Sequence, residues 1–224
     1  MKKKPLGLAG RVDKKYLACA LYLVFYLLGF FIIEHVLVPS HYHVISTPLD
    51  HEIPFCEWMI FFYYAWFPYM AIAYLYTFFF EKKEYLRLIT FTFVGMTIFV
   101  IVSAIYPNTL DIRPAHLDNS NIARVLTNFI YYMDTPTNVL PSIHVYNSIG
   151  FALAFEACHI KQGKKNFSLF LCIMITISVF FVKQHGIIDV LAAFLMTFIM
   201  YEIVYKRDHY FFKKDYAKRY GERS

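Results

Sequence analysis

The stretch LITFTFVGMTIFVIVSAIYP, residues 88–107, contains no charged side chain. A helix of about 20 apolar residues crosses the ~30 Å hydrocarbon core of a bilayer. Comparable windows recur along the chain at residues 16–38, 58–80, 140–158, 167–182 and 186–205. The chain of 224 residues is 58% hydrophobic and has a mean hydropathy of +0.45, more than a soluble domain of this length needs. We therefore predict an all-α, polytopic membrane protein with six transmembrane helices.

Two of these windows are weaker than the others. The window at residues 140–158 carries His144, Asn147 and Glu156, and the window at 167–182 is short. A chain with five transmembrane helices is the main alternative.

The distribution of Lys and Arg discriminates between these two topologies. Of the 22 basic residues, 19 lie in segments 1–15, 81–87, 159–166 and 206–224. With six helices all four segments fall on one side of the membrane, which the positive-inside bias makes cytoplasmic. Five helices would divide them between the two sides. The charge pattern favours six helices with both termini in the cytoplasm.

The connecting segments are too small for a second domain, so residues 1–224 are predicted to form one membrane domain. Two outer segments are substantial, 39–57 and 108–139. Within the second, NSNIARVLTNFIYYMD has the apolar spacing of a short helix lying at the interface. Basic cytoplasmic loops beside anionic lipid explain the net charge of +6, and no nucleic-acid partner is required. The four cysteines have neither paired nor metal-type spacing.

The segment KQHGIID places His185 and Asp189 four residues apart. On a helix such residues share a face, so the carboxylate can accept the Nδ1–H of the imidazole and leave Nε2 free. A polar pair that satisfies itself within the bundle is the simpler alternative. Ionisable groups in membrane segments are, however, functional by default.

The segment LPSIHV has the pattern of a helix start. Proline suits the first turn, and Ser142 with the free first-turn N–H groups favours an anion. His144 projects from the same turn. An ordinary helix start with one interfacial histidine is the alternative interpretation.

Arg113 and Lys183 are basic residues on the predicted outer side. A guanidinium matches phosphate oxygens, although a surface or snorkelling cation is equally compatible with either position. Together with the two histidines they describe an anion site with a nucleophile and a proton donor. For a membrane enzyme the anion is a lipid phosphate. Asp134 and Asn138 are near His144 in sequence and could line the site, although turn-forming residues are the simpler explanation for both.

These residues resemble the type 2 phosphatidic acid phosphatase superfamily, whose pattern is Lys-x6-Arg-Pro, then Pro-Ser-Gly-His, then Ser-Arg-x5-His-x3-Asp. The matching positions, within residues 106–189, are Arg113-Pro114, Pro141-Ser142-Ile143-His144, Ser178, His185 and Asp189. The chain departs from the pattern at Tyr106 and Val179, where the family has cations, and at Ile143, where it has glycine. Lys183 is a candidate substitute for one missing cation.

The resemblance implies a lipid phosphatase in which His185 forms a phosphohistidine, Asp189 orients it and His144 is the acid and base. Arg113, Ser142, the N–H near Ile143 and Lys183 would hold the phosphoryl oxygens, and neither a metal nor another cofactor is required. A lipid phosphotransferase with the same chemistry is the alternative, and the missing cations strengthen it. An anion transporter or receptor is a third possibility, which the low glycine content disfavours.

The expected partners are the bilayer and a lipid phosphate, with the site on the non-cytoplasmic face. The compactness of the chain favours a bacterial plasma membrane, while an internal membrane satisfies the same topology. Residues His41, His43, His51 and His116 could in principle bind a metal, but an outer loop rich in His and Tyr is the commoner explanation. The sequence predicts neither the particular lipid nor an oligomeric state.

Overall fold

The computed structural model describes residues 14–36 and 39–206, which are predominantly helical. In chain order the helices are α1 Lys14–His35, α2 Pro48–Glu52, α3 Ile60–Phe80, α4 Lys82–Ile105, α5 Ile122–Met133, α6 Ile143–Ala157, α7 Gln162–Phe181 and α8 Ile187–Tyr201. A 3₁₀ turn, Glu57–Met59, precedes α3, and a π-helical turn, Glu202–Lys206, follows α8. Two short strands, β1 His43–Val44 and β2 Asn108–Thr109, pair in parallel. The two strands are additions to the all-α architecture that the sequence predicts.

Helix α6 lies at the centre of the bundle, where it packs against α3, α4, α7 and α8. Its contact with α4 is close because two positions lack a side chain. A Cβ on Gly95 would lie 2.0 Å from the ring of Tyr146, and one on Gly150 would lie 2.8 Å from Phe91. The rings of Phe91 and Tyr146 stack with centroids 4.5 Å apart. The polar side chains of Asn147 and Ser148 on α6 are therefore buried within the bundle.

Helices occur at all six predicted membrane windows. Within residues 14–36 and 39–206, four segments are long and apolar enough to cross a bilayer: Glu57–Phe80, Lys82–Ile105, Gln162–Phe181 and Ile187–Lys206. Helix α6 has 15 residues and is about 23 Å long, shorter than the hydrocarbon core. Large apolar side chains such as Phe25 and Leu195 are exposed on the outer helices. These features are compatible with an integral membrane protein.

The basic turns lie at one end of the helix bundle, and α6 and α8 begin at the other end. The α3–α4 and α6–α7 turns meet at one end, where Nδ1 of His159 lies 3.2 Å from Oε1 of Glu81. The basic segments 81–87 and 159–166 therefore lie opposite the end at which α6 and α8 begin. The predicted cytoplasmic termini fall largely on residues 1–13 and 207–224, which are outside the described residues.

The short helix predicted in segment 119–134 is present as α5. It begins after Asn121, whose side chain accepts the backbone N–H of Arg124 at 3.0 Å. The Arg124 guanidinium forms ion pairs with Glu57 and Asp118, so it is held by protein groups. The pair with Glu57 attaches α5 to the 3₁₀ turn that precedes α3.

Candidate active site

His185 lies in the turn between α7 and α8, and its imidazole contacts Asp189. The carbonyl oxygen of Val179 accepts the N–H groups of Gln184 and His185, which closes the turn. Nδ1 of His185 is 2.6 Å from Oδ2 of the fully buried Asp189. The predicted contact is thus present, although the prediction that both residues lie on one helix is wrong. Helix α8 begins at Ile187, two residues after the histidine, with Gly186 as its N-cap.

His144 lies in the first turn of α6 and reaches the same histidine. Ser142 is the N-cap, and its hydroxyl oxygen accepts the N–H of Val145. Pro141 therefore precedes the cap, which corrects its predicted place in the first turn. Nδ1 of His144 is 3.0 Å from Nε2 of His185. The N–H of Ser142 also donates to the carbonyl oxygen of Asp189 at 3.0 Å, so the starts of α6 and α8 are joined.

Tyr63, in the first turn of α3, is a site residue that the sequence did not reveal. Its hydroxyl oxygen lies 2.9 Å from Nε2 of His144 and 3.2 Å from Oδ2 of Asp134. Asp134 follows the last residue of α5 and is half-buried. A continuous row of hydrogen-bonding groups therefore runs from Asp189 through His185, His144 and Tyr63 to Asp134. Tyr63 is one of 19 tyrosines and lies 81 residues before His144, so no local pattern distinguishes it.

Arg113 lies at the edge of this row. One of its Nη2 protons is directed at the carbonyl oxygen of Asp134, 2.8 Å away, and another at the side-chain oxygen of Gln184. The guanidinium also lies 4.3 Å from the ring centroid of Tyr131. Arg113 is therefore adjacent to both Asp134 and the residue that precedes His185.

Lys183 lies in the same turn as His185 and is 5% exposed. Its ammonium donates to the carbonyl oxygens of Asp50 and Ile53, which belong to α2 and its C-terminal end. The Asp50 carboxylate in turn accepts the N–H of Ile187, the first residue of α8. Burial lowers the pKa of Lys183, while the negative charge of Asp50 acts in the opposite direction. The structure thus brings Lys183 to the outer segment that contains α2.

The positions that depart from the family pattern contribute no cation to the site. Tyr106 stacks on His43 with centroids 4.4 Å apart, and Val179 is fully buried. Ile143 packs in an apolar cluster that includes Met96 and Phe99. Within residues 14–36 and 39–206, no group of three or more His, Cys, Asp or Glu side chains is arranged to hold a metal.

Comparison of the chain with protein-family models, with curated proteins and with solved structures finds no match. The chemistry of the site therefore rests on its own geometry. The Asp189 carboxylate accepts a hydrogen bond from Nδ1–H of His185, which leaves a lone pair on Nε2 of the neutral imidazole. That lone pair can act as a nucleophile, and His144 beside it can supply or remove a proton.

Proposed function

We propose that this protein is a membrane lipid phosphatase that hydrolyses a lipid phosphate monoester or diphosphate through a phosphohistidine. The observation that carries the proposal is the position of His185, between Asp189 at Nδ1 and His144 at Nε2. Apolar helices around the site support a lipid as the substrate. The motif resemblance supports a phosphoryl group as the part that reacts.

The first chemical step transfers the phosphoryl group to the protein. The lipid phosphate enters between the two imidazoles and replaces the His144–His185 hydrogen bond. Nε2 of His185 forms a bond to phosphorus while the bond from phosphorus to the lipid oxygen breaks. His144 donates its Nδ1 proton to the departing oxygen, and Asp189 stabilises the positive charge on His185.

The second step returns the protein to its starting state. His144 removes a proton from water as the water oxygen bonds to phosphorus. The bond from phosphorus to Nε2 then breaks, and inorganic phosphate leaves. Atoms and charge balance over the two steps without a cofactor.

Arg113 is the strongest candidate for neutralising the phosphoryl oxygens. Its guanidinium lies beside Gln184, and the first-turn N–H groups at Ile143 and His144 supply further donors. The contacts of Lys183 with backbone carbonyl groups argue for a role in holding the outer segment instead. The proposal includes six transmembrane helices, both termini in the cytoplasm and the site on the non-cytoplasmic face.

Phosphoryl transfer to an alcohol is the second candidate function. His185 is 6% exposed and Asp189 is fully buried, so bulk water has little access to the reacting groups. A second lipid that carries a hydroxyl group could replace water in the second step.

The test is release of inorganic phosphate by the detergent-purified protein from a panel of lipid phosphates. We expect His185→Ala to abolish release, and His144→Ala to slow it about 10²–10⁴-fold, the usual contribution of general acid catalysis. His159→Ala is the matched control, because its side chain is 92% exposed at the opposite end of the bundle. Release that survives in His185→Ala would reject this nucleophile. If the wild type releases no phosphate but transfers it to an added alcohol, the second candidate replaces the first.

A further inference from the structure

The hydrogen-bonded row through the site has a carboxylate at each end. Asp189 contacts His185 directly, whereas Asp134 contacts His144 through the hydroxyl group of Tyr63. Tyr63 is 1% exposed, so its hydroxyl group is shielded from water. A buried hydroxyl group that water does not reach takes its hydrogen-bond partners from the surrounding protein groups.

We propose that Tyr63 and Asp134 are positioning residues for His144. Tyr63 accepts the Nε2–H of His144 and donates its own proton to Asp134. This arrangement reserves Nδ1 of His144 for the proton transfers of the reaction. The catalytic significance of the arrangement rests on the proposed function, whereas the hydrogen-bonding claim can be measured without it.

The number of donors and acceptors supports this assignment. A carboxylate only accepts, so the proton in the Tyr63–Asp134 contact comes from the tyrosine. The tyrosine oxygen is then the acceptor in the 2.9 Å contact with His144, whose Nε2 must carry a proton. At the other end, Asp189 requires the proton of His185 on Nδ1. The contact between Nδ1 of His144 and Nε2 of His185 then holds one proton, which either ring can carry.

Each of the four contacts contains one proton in this assignment. The protonated His144 is the form needed to donate a proton to the departing oxygen. After donation, Nδ1 has a lone pair and can remove a proton from water, while Nε2–H continues to contact Tyr63. Asp134 thus supports the acid–base histidine in the way that Asp189 supports the nucleophile.

The ionisable groups near His144 come from several elements. Tyr63 from α3 and His185 from the turn before α8 contact it directly. Asp189 and Asp134 act through these two residues, and the Arg113 guanidinium lies beside Asp134. Within residues 14–36 and 39–206, α4 and α7 add no ionisable side chain to the hydrogen-bonded row.

The proposal is tested by following the titration of His144 with NMR in protein that contains isotopically labelled histidine. The signal is assigned from the spectrum of His144→Gln. In Tyr63→Phe the ring is retained but the acceptor for Nε2–H is lost, so the neutral imidazole gains relative stability. We expect the titration midpoint of His144 to fall by about one pH unit, which corresponds to the loss of one charge-assisted hydrogen bond.

Asp134→Asn should shift the midpoint in the same direction. The double variant should equal Tyr63→Phe, because the carboxylate acts through the hydroxyl group. Tyr64→Phe is the matched control, since its hydroxyl group donates to the carbonyl oxygen of Leu126 outside the row. If Tyr63→Phe does not fold, Asp134→Asn alone carries the test, because this residue is half-buried at the end of a helix.

A His144 midpoint that is the same in Tyr63→Phe, Asp134→Asn and Tyr64→Phe would overturn the proposal. The same variants then give the pH dependence of phosphate release. We expect the pH above which the proton donor is lost to fall by the same amount as the NMR midpoint. An inactive wild type with the expected NMR shifts would reject the proposed function and leave the hydrogen-bonding assignment standing. Normal activity with unshifted midpoints would reject the hydrogen-bonding assignment and leave the proposed function standing.

Discussion

At the scale of the residue, Lys183 shows how a buried cation can serve the fold. Its backbone has a φ of 56°, in the left-handed region that side chains other than those of Gly, Asn and Asp seldom adopt. This conformation turns the chain just before His185, and the ammonium then contacts the carbonyl oxygens of Asp50 and Ile53. Lys183 therefore links the segment around α2 to the turn that carries His185, the proposed nucleophile.

Lys183→Met should lower stability without weakening phosphate binding. The substitution retains most of the aliphatic chain but removes two hydrogen bonds from a charged donor, each of which usually contributes about 1.5–3 kcal/mol. The melting temperature in detergent and inhibition by inorganic phosphate would be measured together. Lys164→Met, at an exposed position in the first turn of α7, is the control. An unchanged melting temperature with weaker inhibition would show that Lys183 binds the phosphoryl group and does not stabilise the fold.

At the scale of the element, the contact between α4 and α6 positions His144. Gly95 on α4 faces the ring of Tyr146, two residues after the histidine, and the Tyr146 hydroxyl group donates to the carbonyl oxygen of Phe91 at 2.7 Å. A methyl group at Gly95 would overlap the Tyr146 ring. That ring is fixed by its stacking on Phe91 and by the hydrogen bond of its hydroxyl group. The spacing of the two helices therefore depends on this glycine.

Gly95→Ala should destabilise the protein by about 1–3 kcal/mol, the usual cost of overpacking a buried contact. It should also reduce phosphate release, since α6 must move away from α4. Gly163→Ala in α7 is the matched control, because nothing lies within 4 Å of the added Cβ. We expect the control to keep or slightly increase its stability, as alanine favours helix over glycine. Equal melting temperatures for the two variants would contradict the close-packing argument.

Local sequence patterns predicted the elements better than the contacts between them. The apolar windows and the spacing in segment 119–134 indicated the helices, because both signals lie within single elements. The strand pair joins residues 65 positions apart, from His43 to Asn108, and has no local signature. Tyr63 likewise reaches His144 only after α3 packs on α6. The pairing of His185 with Asp189 was predictable because it spans four residues, although Gly186 starts the helix later than expected.

At the scale of the whole molecule, the proposed six-helix topology would place the histidines and the basic turns on opposite sides of a membrane. This prediction can be measured with two single-cysteine variants on a background in which the native cysteines are replaced. His116→Cys lies in the outer segment before α5, and Gly163→Cys lies in the turn region at the start of α7. Both positions are exposed.

A membrane-impermeant maleimide added to the non-cytoplasmic side should label His116→Cys and leave Gly163→Cys unlabelled until the membrane is permeabilised. The expected difference follows from the positive-inside distribution of Lys and Arg. The reverse pattern would invert the orientation. Labelling of both variants from one side would require a different number of membrane crossings between residues 116 and 163.

The main-chain hydrogen bond from Ser142 to Asp189 has a consequence for how this site could evolve. Both atoms belong to the backbone, so exchanging the neighbouring side chains Ile143 and Ile188 leaves the bond available. The distance between the two imidazoles therefore does not depend on which side chains occupy these two neighbouring positions. Under the proposed function, new headgroup preferences could be selected at these neighbouring positions while His144 and His185 keep their relative positions.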